Sequence, residues 1–291
     1  MRLHVVDGTF ELFRAHFTKR PFTETPGAVA RKATVGLAAS MLALLSDPEE
    51  RVSHLAIAFD HPIRSVRNDW FDGYKTEEGV ALELLAQFGP AEDAMRALGI
   101  VVWSMDRYEA DDAMATAAAR WQGDVEQVRL LTPDKDLGQM LTGDRVVQVD
   151  RVRRRVIDET ALMNVRGIRP GAVPDWLALV GDTADGIPGV TGFGEKTAAA
   201  LLRAFGHIED IPSDVTRWPS EVRGASRLSA ELEAHRTEAY LYRKLATLIK
   251  DVPLSESLAD LEWSGAPRAS LGALCDGLGA KFLMERCPRF R

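Results

Sequence analysis

Three short aliphatic runs, Leu3 to Val6, His54 to Phe59 and Gln127 to Leu131, are each followed closely by acids: Asp7, Asp60, and the pair Asp134 and Asp136. Runs of this length dominated by aliphatic residues read as strands covered on both faces, the pattern of a parallel sheet. Ile100 to Trp103 reads as another short strand, and Gly27 to Leu45 and Ala110 to Trp121 are helix-length and apolar-periodic. Alternating strands and helices predict an α/β fold with a mostly parallel sheet flanked by helices. Such sheets build their sites at strand C-termini, where these acids are expected to stand.

Further acids extend the pattern: Glu109 and Asp111 open the second helix, and Asp182 and Asp185 lie in a glycine-flanked loop. Carboxylates gathered in one cleft repel one another, and hard divalent cations with oxygen ligands, Mg2+ or Mn2+, relieve that repulsion. Zinc is a poorer fit: the cysteines are Cys275 and Cys287, and no histidines show paired metal spacing. Any one of these aspartates alone is more simply a helix cap or turn residue. The whole set together is what favours metal-assisted chemistry.

Charge qualifies the choice of partner. The formal sum is 36 − 43 = −7, with pI about 5.5, which at first sight disfavours a polyanion. Cations bound at a carboxylate cluster change the local field that a polyanion meets. Basic residues also recur near the acids: Arg14, Arg64, Arg67, Lys75, Lys135, Lys196 and Arg203. Val146 to Val149 and Val152 to Ile157 suggest a hairpin whose arginines, Arg151 to Arg155, are mostly a solvated surface. The longest apolar stretch, Val35 to Leu45, falls short of the ~20 residues of a membrane span, so a cytoplasmic protein without membrane contact is expected.

The pattern divides the chain near residue 165. Residues 1–165 form the expected α/β core, and 166–291 a helical lobe with Ala198 to Phe205 and Leu228 to Lys250 its clearest helices. Between Lys75 and Ile100, Ala81 to Phe88, a break at Pro90 and Ala91 to Leu98 read as two helices that could cover a site. The tail from Asp251 is less periodic. The Gly181 to Thr197 loop has glycines at 189, 192 and 194, and the helix starting near Gly194 presents amides as an anion site. It is neither GxGxxG nor a Walker A loop, because Glu195 separates Gly194 from Lys196.

These residues together resemble the bacterial and phage 5′ nucleases, or flap endonucleases, which also form the N-terminal domain of bacterial DNA polymerase I. The resemblance rests on Val6-Asp7-Gly8 with Phe13-Arg14, Phe59-Asp60 with Arg67, and Gly73-Tyr74-Lys75. It continues through Tyr108-Glu109-Ala110-Asp111-Asp112, Thr132-Pro133-Asp134-Lys135-Asp136 and the Gly181 to Thr197 loop, reaching about residue 250. It implies a PIN-like core, a helical arch at about 74–99 and a helix-three-turn-helix at about 181–206. One metal site would draw on Asp7, Asp60 and Asp111, another on Glu109, Asp134, Asp136 and Asp182, with Asp112 and Asp185 as nearby ligands or water holders. Two or more Mg2+ or Mn2+ ions would then serve phosphodiester hydrolysis. Arg67 and Lys75 match the family's basic pair beneath the arch, and Arg14 a further phosphate contact. Tyr74 is read as either a base-stacking or a packing residue. Gly189, Gly192, Gly194, Lys196 and Thr197 match the duplex-binding element, where the family often holds K+.

The resemblance thus implies a monomeric, structure-selective enzyme acting on DNA 5′ flaps and 5′ ends in replication and repair, associated with the bacterial nucleoid. The chain ends at Arg291 without polymerase segments, so a stand-alone enzyme is expected. Three departures stand out: Pro133 where a small residue is common, Phe13 where tyrosine is common, and Thr76 to Met95, which lacks Lys and Arg and carries Glu77, Glu78, Glu83, Glu92 and Asp93. A catalytically weak flap- or junction-binding protein and a PIN-like ribonuclease remain open.

Overall fold

The computed structural model describes residues 1–18 and 31–291. In chain order its elements are Arg2–Asp7 (β1), Gly8–Phe17 (α1), Lys32–Leu45 (α2), His54–Asp60 (β2), Leu82–Leu85 (α3), Phe88–Ala97 (α4), Val101–Met105 (β3), Ala110–Trp121 (α5) and Gln127–Leu131 (β4). Val146–Asp150 (β5), Arg155–Ile157 (β6), Glu159–Arg166 (α6), Val173–Val180 (α7), Glu195–Phe205 (α8), Ala225–Ala234 (α9), Arg236–Ala246 (α10), Arg268–Leu278 (α11) and Phe282–Arg286 (α12) follow. Packing groups them into two units: Met1–Arg64 with Glu77–Thr132 and Lys250–Arg291, and Ser65–Thr76 with Pro133–Ile249.

The first unit is built on parallel strands. β1 lies between β2 and β4, with Val5 opposite Ala56 and Leu130, and β2 pairs on its other side with β3, Ile57 opposite Val102. β2 is buried along its whole length, which is why its sequence shows no polar alternation. α5 packs against all these strands, and its alanines 113, 117 and 118 are fully buried. Gly8, immediately after β1, lets α1 approach the sheet: a Cβ there would meet the Ala58 carbonyl and the Phe59 ring at 2.7 Å.

Three expectations are corrected in this unit. The break predicted at Pro90 falls before Phe88 instead, and Pro90 sits in the first turn of α4, where its missing N–H removes no helix bond. The segment expected as an arch is largely core from that point on: Phe88, Ala91, Ala94 and Met95 are buried, and α4 packs on α2, β2 and β3. Glu92, counted as an arch acid, is buried on the His61 ring at 2.8 Å. Residues 250–291 pack in this unit rather than with a lobe running from 166 to 291. Val252 donates to Thr116 Oγ1 at 3.1 Å, Trp263 N–H to the Ser53 carbonyl at 2.9 Å, and its indole N–H to the Leu98 carbonyl at 2.9 Å. Residues 27–30 of the expected Gly27 to Leu45 helix lie outside the described residues.

In the second unit β5 and β6 form the expected antiparallel hairpin, Gln148 opposite Ile157, although Val152 belongs to its turn and not to a strand. α6 to α10 close around Trp176, Leu177, Phe193, Leu201, Leu228 and Leu245, each such burial adding roughly 1.5–3 kcal/mol. Leu228 to Lys250 is two helices rather than one. His235 leaves helical geometry at φ −120°, ψ 22°, and α10 ends at Ala246. No glycine or proline marks that break, so the apolar periodicity runs through it. Among the described residues, no helix is long and apolar enough to cross a membrane.

Candidate metal centre and nucleic-acid interface

In the first unit, strand ends deliver Asp7 and Asp60 as expected. Asp7 Oδ1 accepts the Phe10 N–H at 2.8 Å, capping α1, and Oδ2 accepts the Thr132 hydroxyl at 2.9 Å. Asp60 Oδ1 accepts the Ala110 N–H at 2.7 Å, at the start of α5, while its own N–H donates to Thr9 Oγ1 at 2.8 Å. Glu109 is the N-cap of α5 in a capping box with Asp112: the Glu109 N–H reaches Asp112 Oδ2 at 3.0 Å, and Glu109 accepts the Asp112 N–H in return. Asp112 is fully buried, and one of its oxygens is taken up by this cap. Asp111 is half-buried in the same first turn. Arg14 is held on α1 by Glu11 and by Ser40 Oγ at 2.9 Å.

The second unit gathers its acids more tightly. Asp136, Asp182 and Asp185 are all buried and offer oxygens within 4.8 Å of one another, so Asp185, expected only nearby, is a full member. Asp134 is fixed beside them, its Oδ1 accepting the Asp136 N–H at 2.9 Å and its carbonyl the Gln148 amide. Asp182 occupies a narrow loop closed by reciprocal bonds with Ile187 at 2.8 Å; its Oδ2 meets Lys135 Nζ at 2.9 Å. Asp185 holds Lys75 twice, through its carbonyl to the Lys75 N–H at 3.1 Å and through Oδ1 to Nζ at 3.0 Å.

A backbone contact sets this Lys75–Asp185 spacing. Gly186 has φ 74°, and a Cβ there would lie 2.1 Å from the Gly73 carbonyl oxygen, so any side chain would push the two segments apart. Asn68 adds to it from a short 3-10 turn, Val66–Asp69, donating to the Tyr74 and Lys75 carbonyls at 3.3 and 3.0 Å. Gln139 likewise bridges the Asp136 and Ala246 carbonyls, both at 3.0 Å. Sequence reasoning missed both amides, since their targets are main-chain atoms that no motif marks. It also missed Arg166, whose charge is disfavoured by burial and favoured by the carboxylates of Asp136, Glu195, Asp134 and Asp182.

Burial, then the charges of Asp134, Asp185 and Asp182, push the Asp136 carboxyl well above the usual carboxylate range, with Lys75 pulling the other way. Its Oδ1 is buried without a hydrogen-bond partner among the described residues. An orphaned carboxyl oxygen among hard oxygen donors fits a divalent cation, which would relieve that repulsion.

Two residues of the basic and aromatic set are not where a substrate contact needs them. Arg67 is 1% exposed: its Nε donates to the Leu245 carbonyl at 2.8 Å and a terminal nitrogen to that of Thr247 at 3.1 Å, at the end of α10. Tyr74 is 4% exposed within the apolar cluster, which decides for packing over base stacking. In the glycine loop, Gly189 and Gly192 take φ 74° and 87°, and Gly194 precedes α8 with no side chain capping that end. Lys196 is exposed and Thr197 half-buried.

Residues 2–167 match the family described as 5′-3′ exonuclease, N-terminal resolvase-like domain, and residues 168–269 match 5′-3′ exonuclease, C-terminal SAM fold. The chain belongs to the 5′-3′ exonuclease family. Family members similar to it include DNA polymerase I of Bacillus caldotenax, 32% identical over 98% of this chain and 32% of that protein. A 5′-3′ exonuclease of Aquifex aeolicus is 29% identical over 87% of this chain and 84% of the relative. The chain thus spans about a third of the length of the polymerases it matches. Among solved structures, phage T5 5′-exonuclease with bound zinc superposes with a TM-score of 0.65 at 21% identity, covering 98% of this chain and 99% of that one. At that identity the match speaks for the fold.

Proposed function

We propose that this 5′-3′ exonuclease family member is a divalent-metal-dependent, structure-selective nuclease that hydrolyses phosphodiesters at the 5′ ends and flaps of DNA in replication and repair. The observation that carries the reading is the buried Asp136, Asp182 and Asp185 group, with its unpartnered oxygen and its flanking lysines. Similar folds support it: phage T5 flap endonuclease was crystallised with DNA and metal ions, and the Rad2 core with DNA substrate.

Asp134, Asp136, Asp182 and Asp185 would hold Mg2+ or Mn2+, as would Asp7, Asp60, Glu109 and Asp111. Such ions, when bound, lower the pKa of a coordinated water and neutralise charge on a phosphate. Lys75, fixed at both its main chain and its ammonium by Asp185, offers positive charge for the scissile phosphate. Lys135, 2.9 Å from Asp182, brings a second positive charge to the same cluster. The uncapped amides of α8 and Lys196 would take a duplex phosphate without reading bases. K+ at the Gly189 to Thr197 loop and a monomer in the bacterial cytoplasm belong to the same reading.

A 5′-labelled DNA flap and a matching RNA strand, each incubated with Mg2+, Mn2+ or chelator, test it. Metal-dependent release of short DNA products is expected, and Asp182→Ala should lose both cleavage and calorimetric Mn2+ binding. Binding of DNA without cleavage would assign a junction-binding protein, and preferential RNA cleavage a ribonuclease; either result overturns the proposal.

A further inference from the structure

The turn joining β5 to β6 concentrates charge for which the metal chemistry has no use. Arg151, Arg153, Arg154 and Arg155 fall within five consecutive positions of a chain with formal charge −7. Asp150 shapes the turn: its Oδ1 accepts the Val152 and Arg153 N–H groups at 3.0 and 2.9 Å, and its Oδ2 holds the Arg153 guanidinium at 2.9 Å. Arg154 stands at φ 54°, a left-handed conformation that Gly or Asn adopts at less steric cost. Arg155 begins β6 opposite Asp150. Arg154 and Arg155 are exposed, and neither guanidinium takes part in a hydrogen bond or ion pair among the described residues.

A turn that only had to reverse the chain would be served better by small or polar residues. Arginine at the strained position, with two more guanidiniums beside it and one braced by Asp150, instead builds a fixed cationic knuckle. Guanidinium groups match phosphate oxygens bidentately. Resting on the nuclease reading above, we propose that this turn is a second contact for the substrate's phosphate backbone, additional to the Gly189 to Thr197 loop, with Arg154 and Arg155 supplying the charge. Contact with backbone and not with bases suits an enzyme that selects by structure.

The test removes charge without straining the fold. In an Arg154→Asn/Arg155→Thr double variant, Asn suits the left-handed position and Thr the strand, so an unchanged Tm is expected. Binding of a flapped duplex is then measured over a range of KCl, with Ca2+ in place of the catalytic ion. The slope of log K against log salt should shrink by roughly 1.8, about 0.9 for each lost phosphate contact. If the two lines converge near 1 M salt, binding at 0.1 M weakens roughly 60-fold. Turnover at saturating DNA should stay at the wild-type level while KM rises, and Arg154→Lys/Arg155→Lys should keep the wild-type slope. An unchanged slope in the double variant, with wild type binding and cutting normally, overturns the proposal alone. Unchanged DNA binding with lost binding of poly-glutamate would assign the turn to an acidic protein partner, which also overturns it. Wild-type protein that neither binds nor cuts the flap would instead bring down the nuclease reading and this contact with it.

Discussion

In the first unit Asp7, Asp60 and Glu109 each lend an oxygen to a backbone amide at the start of a helix, whereas in the second Asp136, Asp182 and Asp185 face one another and two lysines. Helix N-termini carry partial positive charge and unsatisfied donors, so the first arrangement satisfies each carboxylate separately and ties it to folding. Crowding in the second raises the cost of the charged state of Asp136. One set of acids should therefore stabilise the fold, and the other should be held against a stability cost.

The sharpest way to break this contrast is to neutralise one acid on each side. Asp136→Asn should reduce cleavage by at least about 100-fold, since loss of even an indirect metal support costs up to that much, while raising the Tm of the metal-free protein. Asp7→Ala should also lose cleavage but lower the Tm, because removing an N-cap costs about 1 kcal/mol and the Thr132 hydroxyl loses its acceptor. The sign can be followed with pH. Because the Asp136 carboxyl is raised, the folded state holds that proton more tightly than the unfolded chain, so its protonation adds stability as pH falls through the raised value. A bound cation competes with the proton, so metal affinity should grow with pH. Calorimetric melting in chelator, wild type against Asp136→Asn, isolates this contribution; a variant that melts below wild type at neutral pH would refute it.

A second contrast separates Arg67 from Lys75, which the family resemblance pairs. Arg67→Ala strips two main-chain acceptors of their donor and leaves a cavity, at a cost of roughly 3 kcal/mol seen in urea unfolding. Lys75→Ala removes a partly exposed ion pair, which is worth about 1 kcal/mol or less, yet turnover should fall roughly 10²–10³-fold if its charge acts on the transition state. Arg67→Ala with wild-type stability and crippled turnover would return Arg67 to the chemistry and blur the contrast.

The same contrast bears on what could be read in advance. Buried parallel strands write short runs rich in aliphatic residues, so Gln127–Leu131 is marked to the residue despite Gln127 and Arg129, as is the α5 helix, Ala110–Trp121. The acids following those runs were legible because strand ends and helix starts both have sequence marks. What escaped was long-range and main-chain. Arg67 reaches a carbonyl 178 residues away, and nothing local distinguishes such an arginine from a phosphate ligand. The tail joins the first unit through hydrogen bonds from Val252 and Trp263, and through packing of α11 on α4 and α12 on α2, contacts that have no period in the sequence. Pro90 misled because its place in a helix depends on which residue is first, and helix starts carry the weakest signal when no Ser, Thr, Asp or Asn caps them.

Glu50, in the first unit, extends the rule that acids there are held by donors, and its effect should be the smallest of these. Its carboxylate accepts from Arg129 at 3.1 Å and meets the His4 ring at 3.0 Å. The His4 hydrogen bond, opposed by burial and aided by Arg129, lowers it to about 2. His4 is itself lowered, because burial of the ring outweighs the pull of Glu50; a neutral ring with Nε2–H still donates, so the two directions agree. The signs follow. A depressed carboxylate contributes stability above the unfolded value near 4.5 that is lost as pH falls toward about 2. His4, neutral when folded, costs stability as pH drops below 6.5, where the unfolded chain takes up a proton that the folded one refuses. Acid should thus weaken the protein in two steps, the lower one assigned to Glu50. Glu50→Gln should lower the neutral-pH Tm by a few degrees, at about 2–4 °C per kcal/mol, and flatten the limb between about pH 4.5 and 2 while leaving the upper step in place. Parallel acid limbs for the two proteins would mean that Glu50 is no better held when folded than when unfolded, and the first-unit rule would stop at the acids that cap helices.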